Sequence, residues 1–208
     1  MHHTEEAAFQ QFLARCEHKD QALDIPTGTG RMLPMLKKTL EFDHVIAADY
    51  SLEMLKYCQA HYKEALIAFS REDIYQTSFN SDDFDAVLSS RFLFHCDNQP
   101  DVFKELHRIL KPGGYWVFDT LSWSPRRWSS WFSKTLGGNI YTNSQRSIKA
   151  LARTAGFNVV ESTAILMFPS FIYNFLPSWS IGTLQKLEAL WPAAFKTKRV
   201  WILQKREV

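Results

Sequence analysis

"ALDIPTGTGRMLPML", Ala22 to Leu36, runs a short apolar segment into a glycine turn and on into a helix-like pattern. An acid, Asp24, closes the apolar entry, and Gly28 and Gly30 stand just ahead of the helix start. A strand end, a tight glycine turn and a helix start together bring backbone N–H groups against a ligand. The stretch therefore predicts the first βα unit of an α/β sheet, with a ligand at its tip.

Outward from it, short apolar runs alternate with helical patterns, the signature of βα units around a largely parallel sheet. "HVIAAD" (His44 to Asp49) is the second strand, and Ser51 is placed to cap the helix of "LEMLKYCQAHY". "ALIAFS" (Ala65 to Ser70) and "FDAVLSS" (Phe84 to Ser90) are the third and fourth strands. "PDVFKELHRILKPGG" carries Val102, Phe103, Leu106, Ile109 and Leu110 as an apolar stripe at helical spacing, and Pro112 with Gly113–Gly114 is expected to stop it. "YWVFDTL" follows as a fifth strand, "NSQRSIKALARTAGF" as a further helix, and "NVVESTAILMF" and "RVWILQK" as closing strands. The expectation is one domain over residues 1–208, with a cap-like insert at about 122–141 and a variable segment at about 168–195.

Composition narrows the function. The chain of 208 residues is long enough for one sizeable core. A formal charge of +2 is too small to indicate a nucleic-acid partner. Cys16, Cys58 and Cys96 are odd in number and lack any CxxC pair, so they read as reduced, buried thiols of a cytoplasmic protein. No metal is expected, and His2 and His3 read as a frayed end. The leader has acids and no long apolar core, so it is not a secretory signal. Ser162 to Gln185 holds no charge over 24 positions, but Pro169, Asn174, Pro177 and four serines argue against a membrane span.

The order strand, Gly28–Thr29–Gly30, helix, strand, Asp49 implies a nucleoside ligand. A carboxylate at the tip of the second strand accepts both ribose hydroxyls with its two oxygens, and Asp49 lies 25 residues (49 − 24) beyond Asp24. A dinucleotide fingerprint, Gly-x-Gly-x-x-Gly, would need glycine where Leu33 stands, and a bulky residue there hinders close packing over a pyrophosphate.

These residues resemble class I S-adenosylmethionine (SAM)-dependent methyltransferases, strongly from about Ala22 to Leu121. The family's acid-x-Gly-x-Gly-x-Gly motif stands here as Asp24-Ile25-Pro26-Thr27-Gly28-Thr29-Gly30, with Pro26 in the first glycine's place. "AADYSLEML" matches the ribose-acid strand and its helix, "REDIYQTSFNSDDFDAV" the adenine-edge segment, "LSSRFLFHC" the tip of strand four, and "ELHRILKPGGYWVFDTL" the helix–Pro-Gly-Gly–strand unit. The resemblance implies a Rossmann-like, seven-stranded, mostly parallel sheet with helices on both faces and an antiparallel C-terminal hairpin. It implies SAM as cofactor, with S-adenosylhomocysteine as product. The cofactor-binding residues it implies are Asp24, Pro26, Thr27, Gly28, Gly30, Asp49, Tyr50, Met54, Asp73, Ile74, Ser90 and Arg91.

His95 follows strand four and is the candidate general base, weighed against a histidine that only shapes the pocket. Trp123 and Trp128, with Trp131, Phe132, Arg126 and Arg127, are candidates for an acceptor wall or a weak contact with a membrane surface, weighed against ordinary core packing. The expected acceptor is a small, apolar or aromatic molecule, with O-, N- and C-methylation and the oligomeric state left open. A non-catalytic SAM-binding module or partner subunit is the alternative, suggested by Pro26 and by the 23 residues that precede Asp24. A nucleic-acid acceptor is not expected, since no Asn-Pro-Pro-Tyr or Asp-Pro-Pro-Tyr motif is present and "KTKR" (Lys196 to Arg199) is short.

Overall fold

The alternating pattern closes into one sheet. The computed structural model describes residues 2–63, 67–122, 140–166 and 196–207. In chain order these form α1 (His2–Leu13), β1 (Gln21–Asp24), β2 (His44–Asp49), α2 (Leu52–His61), β3 (Ile67–Arg71) and β4 (Phe84–Ser89). Then follow α3 (Gln99–Ile109), β5 (Leu110–Leu121), α4 (Gln145–Thr154), β6 (Phe157–Leu166) and β7 (Lys198–Lys205). The seven strands lie in the order β3-β2-β1-β4-β5-β7-β6. β1 to β5 pair in parallel, and β7 joins both β5 and β6 antiparallel. This is the Rossmann-like sheet with an antiparallel C-terminal hairpin that the resemblance implied.

Period-two burial divides the strand side chains between two cores. Ala22, Val45, Ala47, Leu88, Val117, Val200 and Ile202 face one layer, which α1 fills with Phe9, Phe12 and Leu13. Leu23, Ala48, Val87, Trp116, Phe118, Trp201 and Leu203 face the other, where α3 and α4 pack. The stripe on α3 behaves as its spacing predicts: Val102, Phe103, Leu106 and Ile109 are fully buried. Phe103 sets its ring edge-on to Trp116, with centroids 4.7 Å apart. Ser51 and Ser144 cap α2 and α4 by accepting from the N–H groups of Met54 and Ser147.

Three local expectations change. The N-terminal residues are not a frayed end, because His2–Leu13 is helical and buries its aromatics. α3 stops at Ile109, before Pro-Gly-Gly, and β5 already starts at Leu110. Lys111 precedes a proline and so disfavours helical backbone, and Gly114 lies so close to Phe84 and Asp85 that an added Cβ would meet their carbonyl oxygens at 3.1 Å. Last, the glycine turn does not lead straight into an α-helix. Turns follow it, and after Pro34 comes only the short π-helical stretch Met35–Thr39. The insert at about 122–141 lies almost wholly, and the variable segment at about 168–195 wholly, outside the described residues.

Candidate active site

Parallel strands present their carboxyl ends together, and the strand order reverses between β1 and β4, so that edge is where a ligand crevice forms. β1 ends in Asp24 and the chain turns over it through Ile25 to Gly30. The Ile25 N–H donates to the Leu88 carbonyl on β4 at 2.9 Å, and the Thr27 N–H donates to the Ala48 carbonyl on β2 at 2.8 Å. The loop is thus stitched to both neighbouring strands.

Asp49, at the tip of β2, reaches this loop directly. Its Oδ2 accepts from the Gly28 N–H at 2.8 Å and its Oδ1 from the Ser51 N–H at 2.9 Å. The side chain keeps 7% exposure. Gly28 has φ +55°, and a Cβ placed there would meet nothing within 4 Å. The space beside the Gly28–Asp49 bond is therefore open.

That space is a cleft of about 470 Å³ lined by Ile25, Pro26, Asp49, Tyr50, Glu72, Asp73, Ile74, Tyr75 and Phe92. Its size falls in the range of small-molecule sites. Ile25, Ile74 and Phe92 give it apolar walls, while Asp49, Glu72 and Asp73 make it acidic. Glu72 is held charged: burial would raise its pKa, but hydrogen bonds from Ser70 and Ser78 outweigh that and bring it below the usual carboxylate range. Three carboxylates suit a ligand that donates from hydroxyls and amines, and they repel a pyrophosphate. A dinucleotide is thereby disfavoured a second time. A cavity of about 220 Å³ around Asp85, Lys111 and Tyr115 sits at the amino ends of β4 and β5, the wrong edge for this chemistry.

The predicted cofactor residues divide by place. Pro26, Asp49, Tyr50, Asp73 and Ile74 line the cleft together. Tyr50 is 65% exposed, and the Arg71 guanidinium stands 5.3 Å from its ring centre. Asp73 shapes a turn by accepting from the Tyr75 N–H at 3.0 Å. Asp24 and Thr27 sit behind the loop as its brace, with the Thr27 hydroxyl donating to Asp24 Oδ2 at 2.7 Å. Asp24 is fully buried, and burial pushes its carboxyl up to about 7, against the Thr27 hydrogen bond and the Arg31 charge. Gly30 (φ +76°) is required by packing, because a Cβ there would lie 2.4 Å from Cys58 Sγ and 2.6 Å from the Tyr62 ring. Met54 lies on the first turn of α2, outside the residues that line the cleft.

His95 is exposed at the end of the short turn Leu93–His95, three residues beyond Phe92. Its ring tilts against Phe94 at 4.6 Å. Trp123 and Trp128 fall outside the described residues.

Ser90 and Arg91 belong to a second assembly beside the cleft that sequence reasoning missed. There Arg31, Arg91 and Lys198 all meet the buried carboxylate of Glu5, from α1, and Lys198 also pairs with Asp119 at 2.9 Å. Burial would raise Glu5, but attraction to Lys198, Arg91 and Arg31 outweighs it and pulls the carboxyl down to about 2. One signal for it was present: Glu5 shares a helical face with Ala8, Phe9 and Phe12, and an acid on an apolar stripe needs a buried partner.

Among the described residues no group of side chains could hold a metal ion, and no helix is long and apolar enough to cross a membrane.

Residues 23–118 match the methyltransferase domain family. Over 120 residues, 54% of this chain, the sequence is 37% identical to the malonyl-[acyl-carrier protein] O-methyltransferase of a Marinomonas species, and the match takes in 43% of that protein. The chain thus spans less than half the length of this relative. Among solved structures, the SAM-dependent methyltransferase of Mesorhizobium loti is similar with a TM-score of 0.72 at 16% identity, covering 96% of this chain and 97% of that one. The protein solved in complex with the Trm112 methyltransferase activator of Haloferax volcanii is similar with a TM-score of 0.75 at 20% identity, covering 99% and 91%. At such identities the structural likeness establishes the fold.

Proposed function

We propose that this chain, whose residues 23–118 match the methyltransferase domain family, is a class I SAM-dependent enzyme that transfers the methyl group of SAM to a small acceptor with an apolar or aromatic body. The observation that carries the reading is the Asp49–Gly28 hydrogen bond beside open space, at the edge where the sheet order reverses.

The cleft fits the cofactor. Each Asp49 oxygen accepts one backbone N–H and keeps further acceptor capacity for a ribose hydroxyl. Asp73 would accept from the adenine amino group, and Ile25, Ile74 and Phe92 would cover the base. Tyr50 offers an aromatic face that the protein leaves to solvent. Pro26 lines the cleft rather than blocking it, so the departure that suggested a non-catalytic module does not close the site.

Bound SAM supplies a methyl group already activated on a sulfonium. The chain's task is therefore to orient and to exclude water, and alignment of reactants supplies roughly 7–11 kcal/mol of barrier lowering in well-oriented systems. Asp49 fixes the ribose, and the braced loop fixes Asp49. His95 takes a proton only for an acceptor that must lose one, such as a phenol. Trp123 and Trp128 wall the acceptor in this reading. The relative named above acts on a carrier-bound malonyl group, which agrees with a small acceptor. A cytoplasmic setting belongs to the same proposal and is supported by the free, buried Cys16, Cys58 and Cys96.

The test is turnover: the full chain is incubated with SAM and a panel of small carboxylic, phenolic and quinone-like acceptors, and mass spectrometry reads methylated product with stoichiometric S-adenosylhomocysteine. Product with one acceptor class is expected. Tight cofactor binding with no product from any acceptor would favour the non-catalytic module.

A further inference from the structure

At the tip of β4 the backbone takes a turn that its side chain resists. Arg91 has φ +57°, in the left-handed region that a residue with a Cβ keeps only when its surroundings hold it there. Two carboxylates do the holding. Glu5 Oε2 accepts from Arg91 Nη2 at 3.0 Å and Nε at 3.3 Å, the planar fork that suits a carboxylate. Asp119, on β5, accepts from the Arg91 N–H through its Oδ1. Lys198, on β7, joins the two acids, 2.8 Å from Glu5 Oε1 and 2.9 Å from Asp119 Oδ2. A ring therefore closes on Arg91, from its guanidinium through Glu5, Lys198 and Asp119 back to its own N–H.

Glu5 extends the same hold to the β1 turn. Arg31, the residue after Gly30, sets its Nη2 2.7 Å from Ser90 Oγ and 3.3 Å from Glu5 Oε1. Arg31 is shared with Asp24, whose carboxyl feels its charge from beneath the loop. Glu5 itself is 1% exposed. Burial would raise its carboxyl, but attraction to Lys198, Arg91 and Arg31 outweighs that and holds it down to about 2, so the ring stays charged at neutral pH.

Place gives this hold a use. In the proposed reading Asp49 and Asp73 take the nucleoside on the β2–β3 side. The strand order reverses between β1 and β4, so the rest of the cofactor, its sulfur and amino-acid tail, would run past the β1 turn toward the tip of β4. Glu5 reaches that path only through Arg31, Ser90 and Arg91.

We propose that Glu5, on the first turn of α1, is a positioning residue of the methyl-transfer site, which sets the Ser90–Arg91 tip of β4 where the amino-acid tail of the cofactor lies. The inference deepens the methyltransferase reading and rests on it for the cofactor; the ring itself stands on the contacts above.

The probes are S-adenosylhomocysteine and methylthioadenosine, which shares the adenosyl thioether and lacks the amino-acid tail. Calorimetric titration of the full chain compares wild type with Glu5→Gln, close in shape and uncharged, and thermal melting shows that the variant is folded at the titration temperature. S-adenosylhomocysteine should bind about tenfold more weakly to the variant, while methylthioadenosine stays within about twofold. Equal weakening of both ligands would mean that Glu5 only stabilises the fold, and it overturns the proposal. Unchanged S-adenosylhomocysteine binding, or a loss confined to methylthioadenosine, overturns it as well. Because Glu5 acts through Arg91, Arg91→Gln alone should weaken S-adenosylhomocysteine about as much, and adding Glu5→Gln to it should cost no more than about a further twofold. A further tenfold loss in the double variant overturns the proposal. That pair removes one charge of each sign, and it decides the matter if Glu5→Gln alone does not fold. A wild type that binds neither nucleoside refutes the methyltransferase reading and this role with it. A wild type that binds both, with Glu5→Gln unaltered, refutes the role alone.

Discussion

Asp24 and Asp49 end adjacent strands, Asp24 beneath the glycine loop and Asp49 bonded to the Gly28 N–H of that loop. Asp24 is sealed beneath the loop and its carboxyl rises from the ordinary 3.8 to about 7. A raised acid pKa means that the folded chain holds a proton the unfolded chain has lost. The associated stability is fully present below about pH 4 and is lost as pH rises through 7. Asp24→Asn keeps an acceptor for Thr27 and removes the titration. The variant should therefore gain on wild type by more than about 1 kcal/mol between pH 5 and pH 8 in urea unfolding. The two glycines separate in the same way. Gly30→Ala drives a methyl group into Cys58 and Tyr62 and should cost about 1–3 kcal/mol or more of stability. Gly28→Ala meets open space and bears only the positive-φ cost of about 1–2 kcal/mol. Thermal unfolding of both variants checks the order.

At the scale of elements, α3 is the piece whose sequence pattern and packing agree most fully. Phe103 is fully buried among Trp116, Phe118 and Phe157, so Phe103→Ala should cost about 3–5 kcal/mol in chemical denaturation without moving the cleft at the tips of β1 and β2, which it does not line. Such elements were legible because their information is local: a stripe repeats every turn, and a cap such as Ser51 announces a start. The end of α3 was less so, because Gly114's approach to the β4 backbone is a tertiary demand. The missing helix after Gly30 has a local cause in hindsight, with Pro34 starting a new, short turn.

Across the whole molecule, the sheet order and the meeting of Asp49 with the glycine turn followed from spacing, since a βαβ unit returns the second strand beside the first. The Glu5–Lys198 pair, 193 positions apart, depends on how the last hairpin folds back against α1, and no periodicity encodes that. The sheet edge is divided accordingly, with the acidic cleft on the β2–β3 side and the Glu5 ion-pair cluster on the β4–β5–β7 side. In the proposed function, Asp49 and the bare Gly28 backbone hold one adenosyl group between them. A crystal structure of the chain with S-adenosylhomocysteine should show both ribose hydroxyls within hydrogen-bond distance of the Asp49 carboxylate. Adenosine bound elsewhere, with Asp49 still serving only the N–H groups of Gly28 and Ser51, would contradict it.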